Sequence, residues 1–129
     1  MRPLQRILHV DDEPDIREIV RMSLSMVGRF DVEQCASGVE ALDKAEAANP
    51  DLIILDVMMP HLDGEETFVR LREIDALADT PIIFMTARAS SADYQKLRDL
   101  GAADIVIKPF DPMTLPDQLR EIWARSGSA

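Results

Sequence analysis

The chain has 129 residues, a length that fits one domain. Its net charge is −10, with 14 lysine and arginine residues against 24 aspartate and glutamate residues. This acidic balance argues against direct nucleic acid binding, which requires clustered positive charge. The single cysteine, Cys35, excludes an intrachain disulfide and a cysteine metal cluster, as is usual in a reducing compartment. No apolar window is long enough for a signal peptide or a membrane span, so we expect a cytoplasmic protein without a membrane partner.

Short apolar runs alternate along the chain with longer segments of helical period. In chain order, the predicted strands are 4–10, 30–36, 51–56, 80–86 and 104–109, and the helices that follow them are 14–27, 39–48, 65–74, 91–101 and 115–125. In the first helix, one face carries the apolar side chains of Ile16, Ile19, Val20 and Leu24. Each strand is therefore followed by a helix that can cover it.

Several helix ends are marked by local signals. Pro14 suits the first turn of a helix, and Ser37 followed by Glu40 forms a capping box at the start of the second helix. Gly101 closes the fourth helix. These signals support the predicted boundaries independently of the apolar pattern.

The alternation of strands and helices predicts an α/β fold with helices on both faces of a parallel sheet. Residues 52–55 form an unbroken apolar run, which indicates that the third strand lies at the centre. We expect a doubly wound, flavodoxin-like sheet of five parallel strands in the order 2-1-3-4-5. One domain is expected over residues 1–125, with residues 126–129 as a flexible tail.

Polar side chains stand where the predicted strands end. The first strand delivers Asp11 and Asp12, the third Asp56, the fourth Thr86 and the fifth Lys108. Ligands of open parallel sheets bind beyond these ends, and two carboxylates 4 Å apart repel by about 4 kcal/mol at an effective dielectric of about 20. Three carboxylates held this close together require a positive counter-charge. Because their ligand atoms are oxygens, the favoured cation is Mg²⁺, and Mn²⁺ can substitute for it.

A magnesium site made of carboxylates indicates phosphoryl transfer, because the ion commonly bridges protein oxygens to phosphate. Asp56 is the candidate nucleophile, and Lys108 is expected to neutralise the phosphoryl oxygens together with the metal. The Thr86 hydroxyl is expected to hydrogen-bond one of these oxygens. Arg88, at the mouth of the crevice, is a further candidate for contact with phosphate.

Four segments, "VDDEP", "ILDVMMPHLDG", "MTARA" and "IVIKPF", occur in this order. Together they resemble the receiver domain of bacterial two-component response regulators, of the chemotaxis-regulator type, over nearly the whole chain. The resemblance implies that Asp56 is the phosphoacceptor and that Asp11 and Asp12 are the acidic metal pair. It makes Thr86 the switch hydroxyl and Lys108 the lysine that contacts phosphate.

The same resemblance assigns two further positions. It implies that the backbone carbonyl of Met58 completes the metal shell and that the bond between Lys108 and Pro109 is cis. Where the family commonly has a tyrosine or phenylalanine switch residue, this chain has Ile105. An aliphatic side chain still packs in two rotamers, but it has no hydroxyl and buries less area, so the switch surface is expected to differ.

The resemblance also implies partners for this chain. A sensor histidine kinase or a histidine phosphotransfer protein is expected to donate the phosphoryl group, and a downstream protein or output domain is expected to respond. The chain is expected to be a signalling switch that catalyses only its own phosphorylation and dephosphorylation, not an enzyme. A monomer or a phosphorylation-dependent dimer is expected, without direct nucleic acid binding.

Two other functions compete with this interpretation. A phosphorylation-independent adaptor with the same fold is suggested by Ile105, but Asp56, Thr86 and Lys108 argue against it. A haloacid-dehalogenase-type phosphohydrolase also uses an aspartyl phosphate and Mg²⁺. Its nucleophile stands at the end of the first strand in an Asp-x-Asp arrangement, whereas this chain has an Asp-Asp-Glu run there, and it lacks residues for a substrate cap.

Overall fold

The computed structural model describes residues 3–87 and 90–126, and in this part of the chain five strands alternate with five α-helices. The strands are β1 (Arg6–Val10), β2 (Asp31–Cys35), β3 (Leu52–Asp56), β4 (Ile82–Thr86) and β5 (Asp104–Ile107). The helices are α1 (Pro14–Met22), α2 (Gly38–Ala48), α3 (Gly64–Arg72), α4 (Ser91–Leu100) and α5 (Leu115–Arg125). None of the described helices is long and apolar enough to cross a membrane.

The five strands form one parallel sheet in the order β2-β1-β3-β4-β5, which confirms the predicted fold. In the register, Val10 of β1 lies opposite Leu55 of β3, and Asp56 lies opposite Met85 of β4. The carboxyl ends of β1, β3 and β4 therefore reach the same edge of the sheet. Every residue of the central strand β3 is buried, as its apolar run predicted.

The side chains of the two sheet faces belong to two core layers, because successive residues of a strand point to opposite faces. The layer under α1 and α5 includes Ile7, Val20, Ile54, Met85 and Leu119. The layer under α2, α3 and α4 includes Leu8, Ala45, Phe68, Phe84 and Leu97. Both faces are covered, so the described sheet is buried as parallel sheets usually are.

The predicted helix signals act through identifiable hydrogen bonds. The Ser37 hydroxyl accepts a hydrogen bond from the backbone N–H of Glu40 at 3.1 Å, and the Glu40 carboxylate accepts one from the N–H of Ala36 at 2.6 Å. Gly101 follows α4 with φ at 120°, a conformation that favours glycine. These contacts satisfy backbone groups that a helix leaves without partners at its ends.

The first helix differs from its prediction. The α-helix ends at Met22, and residues Ser23–Val27 form a π-helical turn that closes with a hydrogen bond from the N–H of Gly28 to the carbonyl of Ser23. Ile19, predicted to be buried, is 40% exposed, because the helix is rotated so that Val20 points to the sheet. The wider turn then brings Leu24 into the same core layer.

All five strands begin or end one or two residues inside their predicted bounds, and the first begins at Arg6, where its register with β2 begins. The third helix ends at Arg72, and Ile74 has an extended backbone before a short 3₁₀ turn. The predicted tail begins at Ser126, but residues 127–129 lie outside the described part of the chain, so the domain boundary at residue 125 stays a prediction.

Candidate functional site

Three acidic side chains from two strand ends meet at one edge of the sheet. Asp11 and Asp12 follow β1, and Asp56 is the last residue of β3, which is the neighbour of β1. One carboxylate oxygen from each residue lies within 4.8 Å of the corresponding oxygens of the other two. Asp11 and Asp56 are buried, whereas Asp12 is partly exposed. The structure thus brings together the three carboxylates that the sequence pattern singled out.

The ends of neighbouring strands determine which groups meet. Asp56 is the last residue of β3, Thr86 is the last residue of β4, and Lys108 follows β5. Because these strands are neighbours in a parallel sheet, the three residues stand at the same edge.

Lys108 is the counter-charge of this cluster. Its ammonium group donates hydrogen bonds to Asp11 Oδ2 at 3.1 Å and to Asp56 Oδ1 at 3.3 Å, and it lies 3.7 Å from Glu13 Oε1. Burial alone would lower the pKa of Lys108, but its hydrogen bond to Asp11 and the charges of Asp11 and Asp56 raise it. The lysine therefore stays charged, and one positive charge faces several carboxylates.

The excess negative charge of this cluster affects the pKa of Asp56. Burial and the neighbouring charge of Asp11 raise the pKa of Asp56 to about 6, although the charge and hydrogen bond of Lys108 and the backbone N–H of Met58 act in the opposite direction. A carboxylate with a raised pKa is one whose ionised form lacks compensation. A further positive charge would therefore stabilise the cluster.

The donor set fits a hard divalent cation. Asp12 Oδ1 and Asp56 Oδ2 are buried oxygens with no hydrogen-bond partner among the residues that the structure describes. Buried polar atoms of this kind require an explanation, such as an ion or water. All candidate ligand atoms are oxygens, which Mg²⁺ prefers. Asp11, Asp12 and Asp56 can therefore hold Mg²⁺, which Met58 would contact only through its carbonyl, since its side chain is largely exposed.

The predicted switch residues lie beside this cluster. Thr86 ends β4, and its carbonyl accepts a hydrogen bond from the N–H of Lys108 at 2.8 Å. Thr86 also lines a cleft of about 100 Å³ together with Val57 and Met58, the residues that follow Asp56. Ile105 is buried one strand away, opposite Phe84. The bond between Lys108 and Pro109 is cis.

Gly64 is a site residue that the sequence identified only as the start of a helix. A Cβ atom at this position would lie 2.2 Å from the carbonyl oxygen of Asp56 and 2.7 Å from Val57 Cα. The N–H of Gly64 donates a hydrogen bond to the carbonyl of Val57 at 3.0 Å. Glycine therefore lets α3 begin directly against the backbone of Asp56. The preceding Asp63 caps α3 by accepting the N–H of Glu66.

Other polar residues near the cluster are placed as follows. His61 is exposed in the loop beyond Asp56. The Glu13 side chain is exposed, and its Oε1 lies 3.7 Å from Nζ of Lys108. His9 is fully buried in β1, behind Asp11. Arg88, the candidate for contact with phosphate, lies outside the described residues.

Comparison with known proteins supports the same interpretation. A family model described as response regulator receiver domain matches residues 7–120. The probable transcriptional regulator ycf27 of Guillardia theta is 42% identical over 125 residues, which cover 97% of this chain and 48% of that protein. The structure of the chemotaxis protein CheY4 of Vibrio cholerae superposes with a TM-score of 0.85 at 37% identity, and the match covers 92% of this chain and 98% of that one.

A further relative corrects the predicted set of partners. The DNA-binding dual master transcriptional regulator RpaA of Synechocystis sp. is 37% identical over 123 residues, which cover 95% of this chain and 51% of that protein. The prediction of partners that left out nucleic acid is therefore wrong. The physical reason is that the net charge describes the surface of these 129 residues alone, and the chain spans about half the length of the curated relatives named here.

Proposed function

Because this chain belongs to the response regulator receiver domain family, we propose that it is a phosphorylation-activated switch that takes a phosphoryl group onto Asp56. The assignment to Asp56 rests on its position, its contact with Lys108 and its burial, taken together. This residue ends the central strand, contacts Lys108, and has a buried oxygen without a hydrogen-bond partner among the described residues. A carboxylate so placed keeps one oxygen available for phosphorus, beside a lysine that can neutralise the phosphoryl oxygens.

The transfer follows from these positions. The ionised carboxylate of Asp56 attacks the phosphorus atom of a phosphohistidine whose other ring nitrogen carries a proton. The P–N bond breaks as the P–O bond forms, and the donor leaves as neutral histidine. Lys108 neutralises the phosphoryl oxygens as they pass. A Mg²⁺ ion held by Asp11, Asp12 and the Met58 carbonyl would supply further positive charge at those oxygens, and Mn²⁺ can replace it.

The response is proposed to start at Thr86. Once Asp56 carries three additional oxygens, the hydroxyl of Thr86 can donate a hydrogen bond to one of them, and its movement vacates space in the cleft that it shares with Met58. Ile105 packs in the adjoining core layer and is proposed to follow by changing rotamer. Such a switch shifts the population of two conformers and does not create a new fold.

Receiver domains are signalling proteins and not enzymes in the usual sense. For this chain we propose that the same side chains also allow hydrolysis of the aspartyl phosphate, which resets the switch. A histidine kinase or phosphotransfer protein is the proposed donor. The relatives are named as transcriptional regulators, so control of transcription, by an output region or a partner, is the proposed result, and the cytoplasm is the proposed location.

Intact mass measurement after incubation with phosphoramidate and Mg²⁺ tests the assignment. We expect a single phosphoryl adduct on the wild type and none on Asp56→Asn or in the presence of EDTA. Asp63→Asn is the matched control, since it makes the same change in the following loop and asparagine still caps α3. An adduct that persists in Asp56→Asn would show that Asp56 is not the acceptor.

A further inference from the structure

A buried polar chain lies behind Asp11, and the proposed reaction does not use it. His9 is fully buried, and its Nδ1 lies 3.0 Å from Nε2 of Gln34 on the neighbouring strand β2. The same Gln34 nitrogen lies 2.8 Å from the carbonyl oxygen of Arg17 in α1. The Arg17 guanidinium in turn donates a hydrogen bond to the carbonyl of Asp11 at 2.8 Å. The four residues thus connect β1, β2 and α1 beneath the acidic cluster.

These contacts determine which nitrogen of His9 carries the proton. The carbonyl of Arg17 can only accept, so the Gln34 atom beside it is the amide NH₂ group. This NH₂ group also faces His9 Nδ1, which must therefore be the acceptor. A ring nitrogen that accepts a hydrogen bond carries no proton, so the ring is the neutral imidazole. The proton of a neutral ring with an accepting Nδ1 is on Nε2.

The Nε2–H group has no hydrogen-bond partner among the described residues. The nearby acceptor is Asp11 Oδ2, at 3.9 Å, which is too long for a hydrogen bond. That oxygen now receives the Lys108 ammonium at 3.1 Å, while Asp11 Oδ1 receives the N–H of Glu13 at 2.9 Å. A buried donor without an acceptor is unfavourable, so a state in which His9 reaches Asp11 is favoured once the oxygen is released.

We propose that His9 is a positioning residue of the metal site, whose Nε2–H holds Asp11 Oδ2 when a cation bound by Asp11 displaces Lys108 from that oxygen. Gln34 and Arg17 fix the ring for this task. The inference rests on the proposed function, because it requires Asp11 to serve a cation and Lys108 to leave Asp11, as it does when it serves the phosphoryl group. A neutral donor suits this position: it orients the carboxylate without competing as a charge against the cation.

Calorimetric titration with Mg²⁺, without a phosphoryl donor, compares the wild type with two variants. His9→Leu keeps the apolar volume and removes the donor, so we expect Mg²⁺ affinity to fall by about tenfold. Its melting temperature without metal should change little, because removal of the unpaired Nε2–H group offsets the loss of the Nδ1 acceptor of Gln34. His9→Gln returns an N–H group at similar reach and should recover most of the affinity. A purely structural histidine would give the reverse pattern, with lower stability and unchanged affinity.

Two controls separate the possible failures. His61→Asn removes the exposed histidine and retains a residue that tolerates the positive φ of this position; its affinity should equal that of the wild type. If the wild type binds Mg²⁺ and forms the Asp56 adduct while His9→Leu binds Mg²⁺ equally well, the role of His9 is refuted and the proposed function stands. If the wild type binds no Mg²⁺ and forms no adduct, the proposed function itself fails.

Nitrogen-15 NMR of the histidine rings provides a second test that does not depend on how His9→Leu folds. We expect the wild-type His9 ring to carry its proton on Nε2. In Gln34→Leu the donor to Nδ1 is lost, so we expect a mixture of both tautomers and weaker Mg²⁺ binding. A wild-type ring protonated on Nδ1 would overturn the inference, because no N–H would then face Asp11.

Discussion

At Asp56 the fold holds a carboxyl group where its charge is disfavoured. Burial and the neighbouring charge of Asp11 raise its pKa from 3.8 to about 6, and Lys108 offsets only part of this effect. An opposite arrangement, with a carboxylate fully neutralised by the lysine, would be more stable without a ligand but would offer nothing to an incoming phosphoryl group. The residue that destabilises the site is therefore the one that the proposed reaction modifies.

The raised pKa of Asp56 predicts how stability depends on pH. Between about pH 4 and pH 6 the folded protein binds this proton and the unfolded chain releases it, so the free energy of unfolding falls as the pH rises through this window. A shift of about two pKa units corresponds to about 3 kcal/mol. Asp56→Asn has no carboxyl group that titrates at this position. Its free energy of unfolding, relative to that of the metal-free wild type, should therefore increase from pH 4 to pH 6.5.

Urea unfolding in EDTA at several pH values measures this difference, with Asp63→Asn as the control that should follow the wild type. If the difference between Asp56→Asn and the wild type were the same at pH 4 and at pH 6.5, the carboxyl group would have an ordinary pKa in the folded protein.

At the level of the elements, β4 and β5 connect the acidic edge of the sheet with α4. Thr86 ends β4 beside the cleft, and Ile105 of β5 packs against the same core layer as Leu97 of α4. On the far side of the cleft, an ion pair of 3.3 Å between Lys96 and Glu65 joins α4 to α3. A change at Thr86 can therefore reach Leu97 of α4, which lines the same cleft and packs in the same core layer as Ile105.

This path predicts a change at Ile105 on phosphorylation. The ¹³C-labelled δ-methyl resonance of Ile105 should shift when phosphoramidate and Mg²⁺ are added. Ile122 of α5 is the control: it is buried in the other core layer, and its methyl resonance should stay in place. Thr86→Ala should form the adduct and leave Ile105 unshifted. Full adduct formation on the wild type with no change at Ile105 would remove this residue from the switch.

At the scale of the whole molecule, the acidic edge adds to an already negative chain. The net charge is −10, and two of the three site carboxylates, those of Asp11 and Asp56, share one lysine. A cation that binds this edge only in the folded state must stabilise the fold by mass action. The acidic composition therefore makes the folded protein sensitive to divalent ions, and it also increases self-repulsion.

We expect Mg²⁺ to raise the melting temperature of the wild type by several degrees, since an ion at one hundred times its dissociation constant contributes about 2.7 kcal/mol. Asp12→Asn should lose most of this shift. Asp117→Asn makes the same change on an exposed side chain of α5 and should retain it. Differential scanning calorimetry at constant ionic strength measures the effect. Equal shifts in both variants would indicate nonspecific screening instead of a site.

Much of this architecture followed from local patterns. The apolar run 52–55 predicted the central strand, and the helix signals at Ser37 and Gly101 predicted ends that the structure reproduces. Residues at strand ends could be grouped in advance because parallel strands deliver their carboxyl ends to one edge. The identity of the family followed from the order of four short segments, and the matched family model confirms it.

The tertiary structure determined the contacts between residues of different elements. Lys108 reaches Asp11 across 97 residues of sequence, and His9 meets Gln34 because β1 and β2 place them side by side in register. The rotation that exposes Ile19 and the π-helical turn after Met22 come from packing on the sheet. Sequence periodicity carries the direction of each side chain within its own element, whereas distances between elements depend on how the whole core packs.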